Sequence, residues 1–137
     1  MNTYNKINSI FAFRTRDWGP SYWFTLFTMI LGSYPVKFDP NNIEHYNIKQ
    51  AFIHTLEGLK YTMPCSLCRE SYKQFYRELP IDKYTDSKIN MALWLYKLKN
   101  KVNKKLGKPA NVSFEKVLES YIQYSAKKCS VQRKKCE

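Results

Sequence analysis

Cys65 and Cys68 stand just after Pro64 with two residues between them, and no other spacing in the chain is better suited to chemistry. At i and i+3 on a first helical turn, two cysteine side chains lie close enough to form a disulfide. Unpaired amides and the positive end of the helix dipole favour a thiolate there. A thiolate is the attacking species in disulfide exchange, so a pair so placed reacts quickly and reversibly. A second pair, Cys129 and Cys136, lies near the C-terminus. The stretch from Leu93 to Pro109 is amphipathic and carries Trp94, two asparagines and several lysines. Together the two segments point to a dithiol exchanging electrons beside an aromatic, phosphate-bearing cofactor.

Other chemistries fit less well. A zinc site at Cys65 and Cys68 needs two more ligands, and Cys129 and Cys136 are too widely spaced for a usual metal knuckle. His45 and His54 have no partners at ligand spacing, so no metal is expected. Two half-buried structural thiols remain the plainest alternative. Four cysteines in a reducing compartment favour redox work over a structural framework.

The elements that position these residues read as helices. At 137 residues the chain fits one domain with a core of its own. Aromatic residues make up 16% and glycines number 4, which favours packed helices over a turn-rich β fold. The first core helix should open at Trp18-Gly19-Pro20 with Asp17 as cap and end near Tyr34-Pro35, burying Trp23, Leu26, Phe27, Ile30 and Leu31. Asp39-Pro40 marks a turn. A second helix is expected from Ile43 to Tyr61 and a third from Pro64 to Leu79. The fourth should span Ser87 to Leu106, with Trp94, Leu98, Val102 and Leu106 as one stripe and Gly107 as its stop. Ser113 should cap a fifth running to Ala126. The reading is all-α: a helical bundle of residues 15–126, an N-terminal extension 1–14, and a mobile basic tail 127–137.

The net charge of +12 implies a solvated surface with some affinity for anions. No nucleic-acid module is recognisable, so no specific nucleic-acid partner is expected. Ile7 to Phe13 is too short and too interrupted for a secretory signal. No stretch reaches the apolar length of a membrane span. The chain is expected to be soluble and intracellular.

These residues carry a resemblance. Trp18-Gly19-Pro20 with Trp23, Tyr34-Pro35, Pro64-Cys65-Ser66-Leu67-Cys68, and Leu93-Trp94 through Lys108-Pro109 resemble, in order and spacing, the Erv/ALR family of FAD-linked sulfhydryl oxidases. The small single-domain versions of large DNA viruses are especially similar. The resemblance implies a four-helix bundle with a short fifth helix and FAD held at the bundle mouth. It implies that Cys68 faces the flavin and forms the charge-transfer thiolate, and that Cys65 takes electrons from the incoming thiol. Gly19, Trp23, Phe27, Asn100, Val102, Asn103, Lys105 and Lys108 would line the FAD. Asn100 and Asn103 share one helix face and can donate and accept hydrogen bonds. Lys105 and Lys108 offer positive charge to the pyrophosphate.

Two family histidines are replaced, by Phe27, which can still stack on a ring, and by Lys99, which cannot but could approach a phosphate or ribose. The family's extra disulfide is missing, with Tyr96 and Ser113 near its two positions. Cys129 and Cys136 would act as a shuttle pair on the tail. The implied partners are protein dithiols, molecular oxygen reduced to hydrogen peroxide, and a second copy in a homodimer. The implied place of work is host cytoplasm or virion, or the mitochondrial intermembrane space for a cellular version. A flavin-poor homologue acting as a binding or scaffold protein, and a basic helical nucleic-acid binder, are the alternatives from other classes.

Overall fold

The computed structural model describes residues 2–109, 112–126, 129–130 and 135–136. Among these, six α-helices follow in order: α1 (Thr3–Asn8), α2 (Thr15–Ser33), α3 (Ile43–Thr62), α4 (Ser66–Glu78), α5 (Lys88–Lys105) and α6 (Phe114–Ile122). A 3₁₀ turn, Ile81–Tyr84, joins α4 to α5, and the two-residue strands Cys129–Ser130 and Lys135–Cys136 pair antiparallel. The expected all-α architecture holds: α2, α3, α4 and α5 form the bundle, with α6 as its short fifth helix. Helix α1 and the 3₁₀ turn are additions that the periodicity did not foretell. The expected mobility of residues 127–137 lies outside the described residues, apart from the backbone of the two strands.

Helix starts follow the chemistry of the residues before them. Asn42 accepts hydrogen bonds from the Glu44 and His45 amides, Ser87 from Asn90, and Ser113 from Lys116, so each satisfies an amide that its helix leaves free. Helix α2 differs from expectation. It begins at Thr15, and Asp17 sits in its first turn, paired with Arg14 at 2.7 Å, so Asp17 is not the cap. Pro20 consequently lies inside the helix, where it cannot donate to the Arg16 carbonyl. Helix α4 also departs, because Pro64 precedes it and Cys65 is its N-cap.

The stop at Gly107 is as expected. Its φ of +72° lets its own amide reach the Lys104 carbonyl and the Lys108 amide reach that of Asn103, a Schellman closure. Helix α6 ends at Ile122, earlier than Ala126.

The core is built around fully buried Trp94, Phe27, Ile30, Leu56, Met91 and Leu95. Each such side chain contributes about 1.5–3 kcal/mol by leaving water. Three long-range hydrogen bonds fix polar groups within it: Trp94 Nε1 to the Leu79 carbonyl (2.9 Å), Tyr34 Oη to that of Thr85 (2.6 Å), and Tyr72 Oη to that of Leu56 (2.6 Å). The stripe on α5 holds through Leu98, but Val102 is half-buried and Leu106 exposed, because the last two turns leave the core. Trp23 and Leu31 on α2 are likewise half-buried. No described helix is long and apolar enough to cross a membrane.

A candidate thiol–disulfide site

Cys65 caps α4 with its sulfur. Its Sγ accepts the Cys68 amide hydrogen at 3.4 Å, doing for α4 what an oxygen does at the other starts. Both cysteines are free thiols and half-buried. The hydrogen bond from the Cys68 thiol, then the amides of Cys68 and Leu67 and the Arg69 guanidinium, hold the Cys65 pKa below its ordinary value. Burial, then the hydrogen bond its thiol donates to Cys65, pushes Cys68 up. The helix start therefore does not favour a thiolate on both sulfurs equally. Of the two, Cys65 is the sulfur whose thiol is held low and Cys68 the one pushed up.

Two groups oppose the upward push on Cys68. The Thr15 hydroxyl, from the first residue of α2, lies 3.6 Å from its sulfur, and the Lys105 ammonium bears on it from the end of α5. Lys105 is itself held by the Ser71 hydroxyl on α4. Three helices thus meet around one sulfur.

Both cysteines open onto a cavity of about 390 Å³ between α2, α4 and the end of α5. Its wall is mostly apolar and rich in rings: Trp18, Tyr22, Trp23, Tyr72 and Phe75. Of the residues expected at a cofactor, Gly19, Trp23, Val102 and Lys105 line this cavity. A methyl group added at Gly19 would meet only the Thr15 methyl, at an ordinary 3.5 Å. Packing within the protein therefore does not demand glycine there.

Asn100 and Asn103 face elsewhere. They line a second cavity, of about 290 Å³, on the other side of α5 with Phe24, Lys99, Tyr121 and Tyr124. Helical geometry explains the split: Leu98, Val102 and Lys105 follow one i, i+4, i+7 stripe, while Tyr96, Lys99, Asn100 and Asn103 follow another. Lys99 Nζ lies 5.9 Å from the ring centre of Trp23, so it stands where the two cavities approach each other. Lys108 is exposed and lines neither cavity, but its charge reaches Lys99.

Phe27 is brought to neither cavity. It is fully buried, with Tyr121 of α6 packed on it at 5.2 Å between ring centres. A phenyl ring has nothing to offer a polar ligand, and it seals into the core. The sequence reading missed Thr15, Tyr22, Tyr72 and Phe75. A helix starting at Thr15 would have placed the first two, with Gly19, on one face.

The cysteines of the second pair sit directly opposite each other in the antiparallel ladder, Cys129 across from Cys136. Their side chains lie outside the described residues.

An all-helical bundle presenting a vicinal dithiol to an aromatic cavity defines a thiol–disulfide redox fold. A family model described as the Erv1/Alr family matches residues 20–129. The chain belongs to that family, a family of sulfhydryl oxidases. The crystal structure of the yeast Erv1 core is similar in fold, with a TM-score of 0.59 and 24% sequence identity over 74% of this chain and 79% of that one. No curated protein matches the chain significantly.

Proposed function

We propose that the chain is a thiol oxidase that makes disulfides in protein substrates, with FAD as cofactor and oxygen as final acceptor, giving hydrogen peroxide. The observation that carries this reading is the Cys65–Cys68 pair at the start of α4, on the wall of an aromatic cavity.

The thiol chemistry balances as two exchanges. A substrate thiolate attacks Cys65 Sγ of the Cys65–Cys68 disulfide, forming a mixed disulfide and expelling Cys68 as thiolate. The second substrate thiolate attacks the substrate sulfur, forming the product disulfide and expelling Cys65. Substrate loses two electrons, the cysteine pair gains them, and the thiol protons are redistributed to the pair or to solvent. Cys65 is the better leaving group, since its thiolate accepts hydrogen bonds from backbone amides. Cys68 leaves with less help, from Thr15 and Lys105.

The residues present fit a flavin dinucleotide. Flat rings and an apolar wall suit its ring system in the first cavity. The amides of Asn100 and Asn103 and the ammonium of Lys99 suit its polar half in the second. Bound there, FAD would supply the two-electron acceptor that restores the disulfide and reduces oxygen. Phe27, covered by Tyr121, is left out of this assignment. Lys108 acts through its charge on Lys99.

Cys129 and Cys136 are assigned to a shuttle that takes electrons from protein substrates. Support comes from their register: residues opposite in an antiparallel pair have Cα atoms about 4.5–5.5 Å apart, within the span a disulfide bridges. A homodimer would let one subunit's tail serve the other. Host cytoplasm or virion is the proposed place of work, with the mitochondrial intermembrane space as the cellular alternative.

The visible spectrum of the purified protein, taken before and after adding dithiothreitol, is the first test. A flavin band that bleaches with dithiol supports the reading, and a colourless folded protein sinks it in favour of a scaffold role. Cys68→Ala should abolish oxygen consumption. Cys129→Ser should spare dithiothreitol oxidation and slow protein substrates; equal loss on both removes the shuttle.

A further inference from the structure

The segment joining α1 to α2 lies outside the family match, which begins at residue 20. It carries Ile10, Phe11 and Phe13, all exposed, and Phe11 at 90% is the most exposed large apolar side chain among the described residues. Apolar side chains gathered in water at one place mark an interaction surface. This one is fastened to the dithiol. The Phe13 amide donates to the Pro64 carbonyl at 2.9 Å, and Pro64 is the residue before Cys65. Trp18 Nε1, from the cavity wall, donates to the Phe13 carbonyl at 3.0 Å. Both backbone polar groups of Phe13 are thereby spent on holding the segment beside the reactive sulfurs. Leu67, between the two cysteines, is 77% exposed and lines the same cavity as both sulfurs.

The charges beside it are positive. Arg14 and Arg16 are exposed, and the Arg69 charge already bears on Cys65. Asp17 is the one acid close by in sequence, and it is paired with Arg14. Arg16 has no carboxylate within 4.0 Å among the described residues, so its charge is open to a partner.

We infer that this segment is the docking strap for the reduced polypeptide, and that it selects cysteines flanked by apolar and acidic residues. The inference rests on the thiol-oxidase reading above and concerns polypeptides that reduce the Cys65–Cys68 pair directly, without passing through Cys129–Cys136. An incoming thiolate must reach Cys65, the less buried sulfur of the pair, so the chain on either side of it must pass the strap. Covering Phe11 removes an aromatic face from water, and the arginines attract both neighbouring carboxylates and the attacking thiolate. A small dithiol has no flanking residues and gains nothing from either.

Full-length, flavin-loaded protein tests this with three reductants. These are a reduced two-cysteine peptide flanked by leucine and glutamate, the same peptide with lysine for glutamate, and dithiothreitol. Phe11→Ser should raise the KM for the acidic peptide about tenfold, the loss expected for one buried aromatic, with kcat unchanged. Arg16→Glu should remove the preference for the acidic peptide over the basic one. Dithiothreitol oxidation should be unaffected in both variants. If wild-type protein fails to oxidise dithiothreitol, the thiol-oxidase reading itself fails. If it succeeds and the peptide KM does not move, only the strap is refuted. A change of oligomeric state in Phe11→Ser, or an effect that vanishes in a Cys129→Ser/Cys136→Ser background, also overturns it. Those outcomes assign the strap to a second copy or to the chain's own tail.

Discussion

The Thr15 hydroxyl stands 3.6 Å from the Cys68 sulfur, joining the first residue of α2 to the first turn of α4. While Cys65 is tied up in a mixed disulfide it cannot share a proton with Cys68. Thr15 and the charge on Lys105 are then the groups that ease Cys68 toward its thiolate. Thr15→Val keeps the shape and removes the hydroxyl. In a Cys65→Ala protein, which like the occupied state cannot share a proton with Cys68, the pH of half-maximal alkylation of Cys68 should rise by roughly 0.5–1 unit, the worth of one ordinary hydrogen bond. Thr15→Ser should restore it. An unmoved profile in Thr15→Val would leave the contact without a chemical role.

Trp94 predicts stability instead of chemistry. It is fully buried, donates to the Leu79 carbonyl at 2.9 Å and meets Tyr76 edge-on at 5.9 Å. Trp94→Phe keeps an aromatic ring but orphans that carbonyl, a loss of about 1–3 kcal/mol. For a chain of this size that lowers Tm by roughly 4–12 °C. Trp94→Ala, losing about 3–5 kcal/mol, removes a large share of a typical folding free energy. Thermal melts of the two variants check the order.

Much of this was legible in the sequence, for reasons that differ by residue. The helices α3, α5 and α6 carry side-chain caps at Asn42, Ser87 and Ser113, and α5 ends on a glycine whose φ of +72° few other residues tolerate. The dithiol was legible because its spacing is itself the signal. The start of α2 was not, since Arg14 makes no side-chain cap and Pro20 looked like a first-turn residue. That error of three residues hid Thr15, and with it the partner of Cys68. The division of the cofactor residues between two cavities was also hidden. It depends on which side of α5 faces α2 and α4, and no single helix states that.

Tyr34 makes folding sensitive to alkali. Burial, then the Asp86 charge, raises its pKa to about 12, and burial also raises Tyr72 and Tyr76. In the unfolded chain a tyrosine titrates near its ordinary value of about 10. The stability contributed by Tyr34 is therefore complete below about pH 10 and is lost as pH climbs toward about 12. Urea midpoints should hold steady up to about pH 9 and fall beyond it. Tyr34→Phe should lower stability at neutral pH, because the Thr85 carbonyl loses its donor, yet make the alkaline decline shallower. A decline as steep as the wild type's would place the titrating group elsewhere.

Lys99 is expected to cost the ligand-free protein stability and to give it back in ligand affinity. It is half-buried over the Trp23 ring, and burial first, then the nearby Lys108, holds its pKa down. Among the described residues no carboxylate pairs with it within 4.0 Å. A cation in that position is poorly solvated and repelled, and an anionic group entering the second cavity would relieve both. Lys99→Met removes the charge and leaves an apolar chain against Trp23. Its ligand-free form should melt at a higher temperature than the wild type. Its affinity for FAD, followed by fluorescence titration of the stripped protein, should fall about tenfold, and the salt dependence of binding should weaken. The two effects have opposite signs, so a variant that merely misfolds cannot imitate the pair. A Lys99→Met protein that binds FAD as tightly as before, with the same salt dependence, would place the phosphates away from the second cavity.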